Sequence, residues 1–385
     1  MNNRMDWVHQ NCHLLAAISQ EFKTTQPFKD MTIGTGIHLE PKTVSLILTL
    51  QDGGARMVST GNLNSTQPAA VERLRAHGVT VIGQPTRDRE EHQGYLRQVL
   101  AEKPDLILDN GGDLFDLFRA NRYDHLRGGT EETTSGRMRL APLRDELAMP
   151  ILVINDSPIK QFAENEHAVG QSVLESYMRI TNRVTNGQRV TVFGYGACGR
   201  GVAANFRAAN AKVSVVDSDP LKRLQAHLDG YDTPPRNAAV ESADFVVTVT
   251  GSPGLLGADD IALFKNGAIL ANAGHFPIEI KVDALRTNAG VQEITTYEDG
   301  IETLRLMDGR EIHIIAEGHM FNLAGPRPLG NSIESMDLGF ALQARCLEAV
   351  ALGKVGAESS VVPVPRDIDE RVANAYLDAQ YPDAA

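Results

Sequence analysis

The residues most able to do chemistry lie in a glycine turn and in a carboxylate downstream of it. Residues 190–217 read VTVFGYGACGRGVAANFRAANAKVSVVD. An apolar run at 190–193 has the composition of a buried parallel strand. Gly194, Gly196 and Gly199 then form a G-x-G-x-x-G turn, and a helix-compatible stretch follows from Arg200 to Ala209. Gly194 permits the tight turn, Gly196 lets a pyrophosphate approach the backbone, and Gly199 lets the helix pack on the strand. Free N–H groups at the helix start suit phosphate. A second apolar run ends at Asp217, where a carboxylate can hold a ribose 2′-hydroxyl. The same carboxylate repels a 2′-phosphate, so the expected cofactor is NAD rather than NADP.

Further polar groups fall where other strands are expected to end. His38 follows a strand at 31–37, the 62–67 loop follows one at 55–59, and residues 110–113 (NGGD) follow one at 106–109. Ligands of open parallel sheets bind beyond the carboxyl ends of the strands, so these groups are expected to share a cleft. Residues 155–157 (NDS) end a strand beginning at 150, with Lys160, Glu164 and Asn165 just beyond, and His275 follows a strand at 267–273. Residues 128–134 (GGTEETT) read as a polar loop, and solvation is the usual fate of an acid pair such as Glu131 and Glu132.

These groups require an alternating scaffold. Helices are expected at 5–22, 42–50, 67–76, 93–101, 171–183, 335–352 and 367–380, with a β-hairpin over 304–315 turning at Asp308–Gly309. Strands alternating with helices give an α/β fold with two doubly wound parallel-sheet, Rossmann-like domains. The expected division is a substrate-binding domain of residues 1–170 and 335–385 and an NAD-binding domain of 171–334, hinged at the helix over 171–183. No structural signal is read over 381–385.

A chain of 385 residues is long enough for two cores. Its net charge of −12 argues against nucleic acid or an anionic membrane as the main partner. Three scattered cysteines build neither a metal site nor a disulfide framework, which points to a reducing, cytoplasmic setting. The first residues lack a signal peptide's apolar core, and no apolar run has membrane-spanning length.

Taken together, these stretches resemble the S-adenosylhomocysteine hydrolase family over most of the chain. The matching stretches are 27–30 (PFKD) leading to His38, 65–67 (STQ), 108–114 (LDNGGDL), 131–134 (EETT), 155–160 (NDSPIK), the glycine loop, 274–276 (GHF) and 316–323 (AEGHMFNL). The resemblance implies a tightly held NAD that oxidises a ribose 3′-hydroxyl. The ketone acidifies the C4′ hydrogen, the 5′ substituent leaves by elimination, water adds, and the ketone is reduced again. It further implies that Lys160 helps deprotonate the 3′-hydroxyl and that Glu164 holds the ribose hydroxyls. Glu132 and Thr133 would bind ribose and cofactor. His38 would serve the 5′ leaving group or its water, His275 the 3′-hydroxyl, and Asn155 the C4′ region. Thr133, Thr134, Asn165, Asp217, Asn272 and Asn322 would join the glycines at NAD. The partner is a small nucleoside or sugar derivative, and the assembly a homo-oligomer, dimer or tetramer.

The departures from the family pattern are equally specific. Residues 37–43 read IHLEPKT, so Glu40 and Lys42 stand where the family recognises the adenine edge. Asn110 replaces an aspartate that is an acid–base candidate, and asparagine cannot ionise. Leu329 replaces a histidine that closes over the nucleoside. The family's lysine- and tyrosine-bearing tail is not found before Ala385. Buried Glu40 and Lys42 would be costly without new pairing groups. The expectation is the same 3′-keto chemistry on a different substrate, ending in hydrolysis, elimination, dehydration or epimerisation. An authentic adenosylhomocysteinase with an unusual pocket, an inactive NAD-binding regulator and a dehydrogenase that releases NADH stay open beside it.

Overall fold

The computed structural model describes residues 3–298 and 300–381. The chain divides into two compact units, Met1–Gln161 with Ile333–Ala385, and Phe162–Ser332. The structureless end expected over 381–385 lies, beyond Tyr381, outside the described residues.

The first unit holds β1 (Thr32–Ile37), β2 (Arg56–Gly61), β3 (Thr80–Val81), β4 (Leu106–Asp109), β5 (Gly128–Glu131) and β6 (Ile151–Val153). The second holds β7 (Arg189–Phe193), β8 (Lys212–Val216), β9 (Phe245–Thr248), β10 (Ala268–Asn272), β11 (Val291–Thr296), β12 (Ile301–Leu306) and β13 (Glu311–Ile315). A late strand, β14 (Val362–Pro363), returns to the first sheet. The first sheet runs β14-β6-β5-β4-β1-β2-β3, and every pairing in it is parallel. The second runs β11-β12-β13-β10-β9-β7-β8, parallel except for the β11-β12-β13 ribbon at one end. Both are doubly wound. Each therefore has a switch point where successive strands depart in opposite directions: β1 against β4 in the first, β7 against β9 in the second.

Three local expectations are corrected. Residues 128–134 are not a solvated loop, because 128–131 form β5, a buried interior strand between β4 and β6. Glycine is required there: a Cβ on Gly129 would fall 1.8 Å from the Ile107 carbonyl oxygen. A strand reading Gly-Gly-Thr-Glu carries no apolar run, and so escapes periodicity. Glu131 and Glu132 are buried, not solvated. The helix expected over 5–22 is two helices, Arg4–Asn11 and His13–Thr25, separated at Cys12. The second helix starts afresh because its Leu14 and Leu15 N–H groups donate to the Asp337 carboxylate, at 2.7 and 3.0 Å. Asp337 belongs to the helix Ile333–Ala351, which runs almost wholly buried through the first unit. The strand expected from 150 to 155 stops at Val153 and gives way to a 3-10 turn, Ile154–Asp156. The expected hinge helix, seen as Val169–Thr181, lies wholly within the second unit.

Substituting Gly129→Ala forces the new methyl into the β4 backbone. The first unit should lose about 1–3 kcal/mol or more, read as a lowered melting transition by calorimetry.

Candidate functional site

In the first unit the switch point gathers polar side chains from loops that follow neighbouring strands. His38 follows β1, Asn62 and Ser65 follow β2, Asn110 follows β4 and Glu132 follows β5. Lys160 opens a π-helix, Lys160–Ala168, of the kind often found at functional sites.

These groups form a hydrogen-bonded chain. Lys160 Nζ donates to Glu132 Oε1 at 3.1 Å. Asn110 Nδ2 donates to Glu132 Oε2 at 2.6 Å, and Asn110 Oδ1 accepts from Asn62 Nδ2 at 2.9 Å. The carboxylate can only accept, which fixes the orientation of both amides. All four side chains are buried. Burial opposes ionisation of Glu132, but Lys160, Asn110 and His38 together hold its carboxyl below the usual range. Asn110 is therefore a neutral donor that supports the Glu132 charge. An aspartate there would oppose it. His38 Nδ1 lies 2.5 Å from Ser65 Oγ, which orients the imidazole.

Two carboxylates that sequence reasoning did not assign to the site build the loops beneath this chain. Asp109 accepts from the N–H groups of Asn110, Leu114 and Phe115, at 3.0, 2.8 and 3.1 Å. Glu131 accepts from Gly111 and Gly112 N–H at 3.1 and 2.9 Å, and from Thr133 N–H and hydroxyl, each at 2.7 Å. Both are fully buried. Burial, with Asp113 nearby, pushes Asp109 up to about 7. Burial and the adjacent Asp109 push Glu131 well above the usual carboxylate range. Thr133 caps the helix Thr134–Leu140 through Gly136 N–H, and the Thr134 hydroxyl donates to Asn155 Oδ1 at 2.9 Å.

Glu40 and Lys42 lie at the start of the helix Pro41–Asp52, close beyond β1, and both are buried. They pair with each other: Lys42 Nζ is 2.8 Å from Glu40 Oε2.

The second unit carries the dinucleotide features at its own switch point. Gly194, at a φ of +102°, turns the chain out of β7. A Cβ on Gly199 would fall 1.9 Å from the Gly194 carbonyl oxygen, whereas the space over Gly196 is open. The helix Ala197–Ala208 begins directly after it. Asp217, just past β8, accepts from Tyr195 N–H at 2.8 Å and from Asp219 N–H at 2.9 Å. Tyr195 is itself anchored by a 2.8 Å bond from its hydroxyl to Asp229. Asn322 donates to Ser172 Oγ at 3.1 Å, while its buried Oδ1 lacks a hydrogen-bond partner among the described residues. An open glycine cradle, a carboxylate just past the second strand and a buried amide oxygen without a hydrogen-bond partner among the described residues fit a nicotinamide dinucleotide.

The other expected residues of this unit take different places. The Asn272 amide is engaged with Gly274, Phe276, Gly318 and the Thr248 hydroxyl, so it shapes the loop that carries His275. The His275 ring packs edge-on against Phe276. Glu164 is buried with Asn331 Nδ2 3.5 Å from Oε1, and Asn165 is half-buried beside it. Leu329 is 38% exposed in the coil after residue 324, too open for a core side chain.

Asn110→Asp would set a second carboxylate beside Glu132, and the two would share a proton. Infrared spectra at neutral pH should gain a protonated-carboxyl band. Unchanged spectra would mean that Glu132 does not depend on a neutral neighbour.

Known proteins match both units. Residues 165–327 match the model for "S-adenosyl-L-homocysteine hydrolase, NAD binding domain", and residues 2–125 match that for "S-adenosyl-L-homocysteine hydrolase". The chain is 38% identical to an adenosylhomocysteinase of Thermotoga maritima over 382 residues, covering 98% of this chain and 94% of that protein. It is 37% identical to an S-inosyl-L-homocysteine hydrolase of Methanopyrus kandleri, with 97% and 89% covered. It is also 37% identical to an adenosylhomocysteinase of Pyrococcus abyssi, again with 97% and 89% covered. The chain belongs to the S-adenosyl-L-homocysteine hydrolase family, and the cofactor of its dinucleotide domain is NAD.

Proposed function

We propose that the protein transiently oxidises the 3′-hydroxyl of an S-nucleosyl or related ribosyl substrate and acts at C4′ and C5′, with base recognition that departs from adenine. In this reading the first unit binds the substrate and the second holds NAD through Gly194, Gly196, Gly199, Asp217 and Asn322. Bound NAD supplies a reversible hydride acceptor for the ribose carbon.

The chain's own residues manage protons and orientation. Lys160, held in place by its bond to Glu132, is the group proposed to take the 3′-hydroxyl proton, acting as the neutral amine after its own proton has passed to solvent. Asn110 helps keep that carboxylate ionised, so that it continues to hold the Lys160 side chain. Once C3′ is a carbonyl, the C4′ hydrogen is acidic enough for side-chain bases. Asn110 has no proton to exchange, so the proton of the 5′ leaving group and of the entering water falls to His38, oriented by Ser65. Asn155 is assigned to the C4′ region, and Glu164 and His275 to the ribose hydroxyls, as the resemblance implies. We further propose a cytoplasmic homo-oligomer.

The observation that carries this reading is the buried chain Lys160–Glu132–Asn110–Asn62 at the switch point. A regulator that only binds NAD needs no such chain. Altered base recognition is supported by the buried Glu40–Lys42 pair, which stands where the family resemblance implies the contacts to the adenine edge. A second reading, unaltered adenosylhomocysteinase activity, is favoured by the names of relatives at 37–38% identity, among which an S-inosyl-L-homocysteine hydrolase also appears.

The holoenzyme should be mixed with S-adenosyl- and S-inosyl-L-homocysteine, following nicotinamide absorbance and thiol release. Reduction of bound NAD is expected with at least one ribosyl substrate. Lys160→Ala should slow that step by about 10²–10⁴-fold while NAD stays bound. If no nucleoside or pentose derivative reduces the bound cofactor, the proposal fails. Turnover of the adenosyl compound alone would establish the second reading.

A further inference from the structure

Glu279 sits in none of the recognised motifs, yet its side chain and its backbone both tie the loop after β10 to the loop after β9. Its side chain is fully buried. Its carboxylate accepts from Gly251 N–H at 2.7 Å, from Thr250 N–H at 2.9 Å and from the Thr250 hydroxyl at 2.9 Å. Its backbone carbonyl accepts from Leu255 N–H at 2.8 Å. On the other side it presses on the His275 loop: a Cβ on Gly274 would fall 1.8 Å from Glu279 Oε1. Thr250 carries the contact onward, because a Cβ on Gly194 would lie 3.0 Å from its methyl carbon. One carboxylate thus links Gly274, Thr250 and, through Thr250, the first glycine of the dinucleotide turn.

We propose that Glu279 is a positioning residue for NAD, fixing the glycine turn and the His275 loop relative to each other. It does not touch the cofactor. A buried carboxylate with donors on both oxygens holds two backbone N–H groups and a hydroxyl at once, which no neutral side chain of that size can do. The inference rests on NAD binding by this unit and not on the ribosyl-substrate reading. Its test contains no substrate, so the two can fail separately.

The holoenzyme is chased with excess NADH, and exchange is followed by nicotinamide fluorescence. Glu279→Gln keeps the volume but turns an amide N–H toward one of the donors. Exchange should accelerate by about tenfold or more, with an altered emission spectrum of bound NADH and native circular dichroism. Thr250→Val keeps the methyl and loses only the hydroxyl, and should accelerate exchange by a smaller factor. It decides the matter if Glu279→Gln does not fold. Wild-type exchange and emission in Glu279→Gln, or in Thr250→Val where that variant decides, would overturn the assignment.

Discussion

Where a parallel strand ends, its chain turns into a loop whose N–H groups have lost their ladder partners. Buried away from water, those groups must be answered. In both units the answer is a carboxylate. Asp109 and Glu131 take the N–H groups that begin the loops after β4 and β5. Asp217 and Glu279 do the same after β7 and β9. A carboxyl group offers two oxygens to such donors, where an amide of comparable size offers one. The loops that carry the candidate functional groups are therefore set before any ligand arrives, which is what electrostatic preorganisation requires.

Burying so many carboxylates has a consequence. Asp109, Glu131 and Glu279 are all pushed above the ordinary carboxylate range, chiefly by burial. Glu132 goes the other way, because Lys160 and Asn110 bond directly to it. Four buried acids thus divide into three that hold backbone and one that is held ionised by a cation. Asn110 makes that division possible in this chain, since a fifth acid at 110 would compete with Glu132 for the same charge. Glu40 and Lys42 follow the same rule on a smaller scale, each neutralising the other in a place where either alone would be costly.

The strands with apolar runs were legible to within a residue or two, as at 106–109, which matches β4. Two were not. β5 opens on Gly128 and Gly129, where neighbouring backbone leaves no room for a side chain. β11 exposes nearly every position at the sheet edge, so it has no buried face to imprint a pattern. The site shows the same contrast. Lys160, His38 and the glycine turn were readable as types at strand ends. Glu131 read as a solvated acid and Glu279 as nothing in particular, because their partners are backbone N–H groups, which leave no trace in a sequence.

The amino-acid sequence by itself determined the alternation of strands and helices, the dinucleotide turn with Asp217, and the family to which the motifs belong. These are set by local chemistry: side-chain period, glycine's freedom and the spacing of a turn. Only the tertiary structure decided which acids are pushed up and which down, which amide points at which oxygen, and that Asn110 supports Glu132 while Glu40 finds Lys42. Those outcomes depend on burial and on partners brought from distant loops, and a chain read in order contains neither.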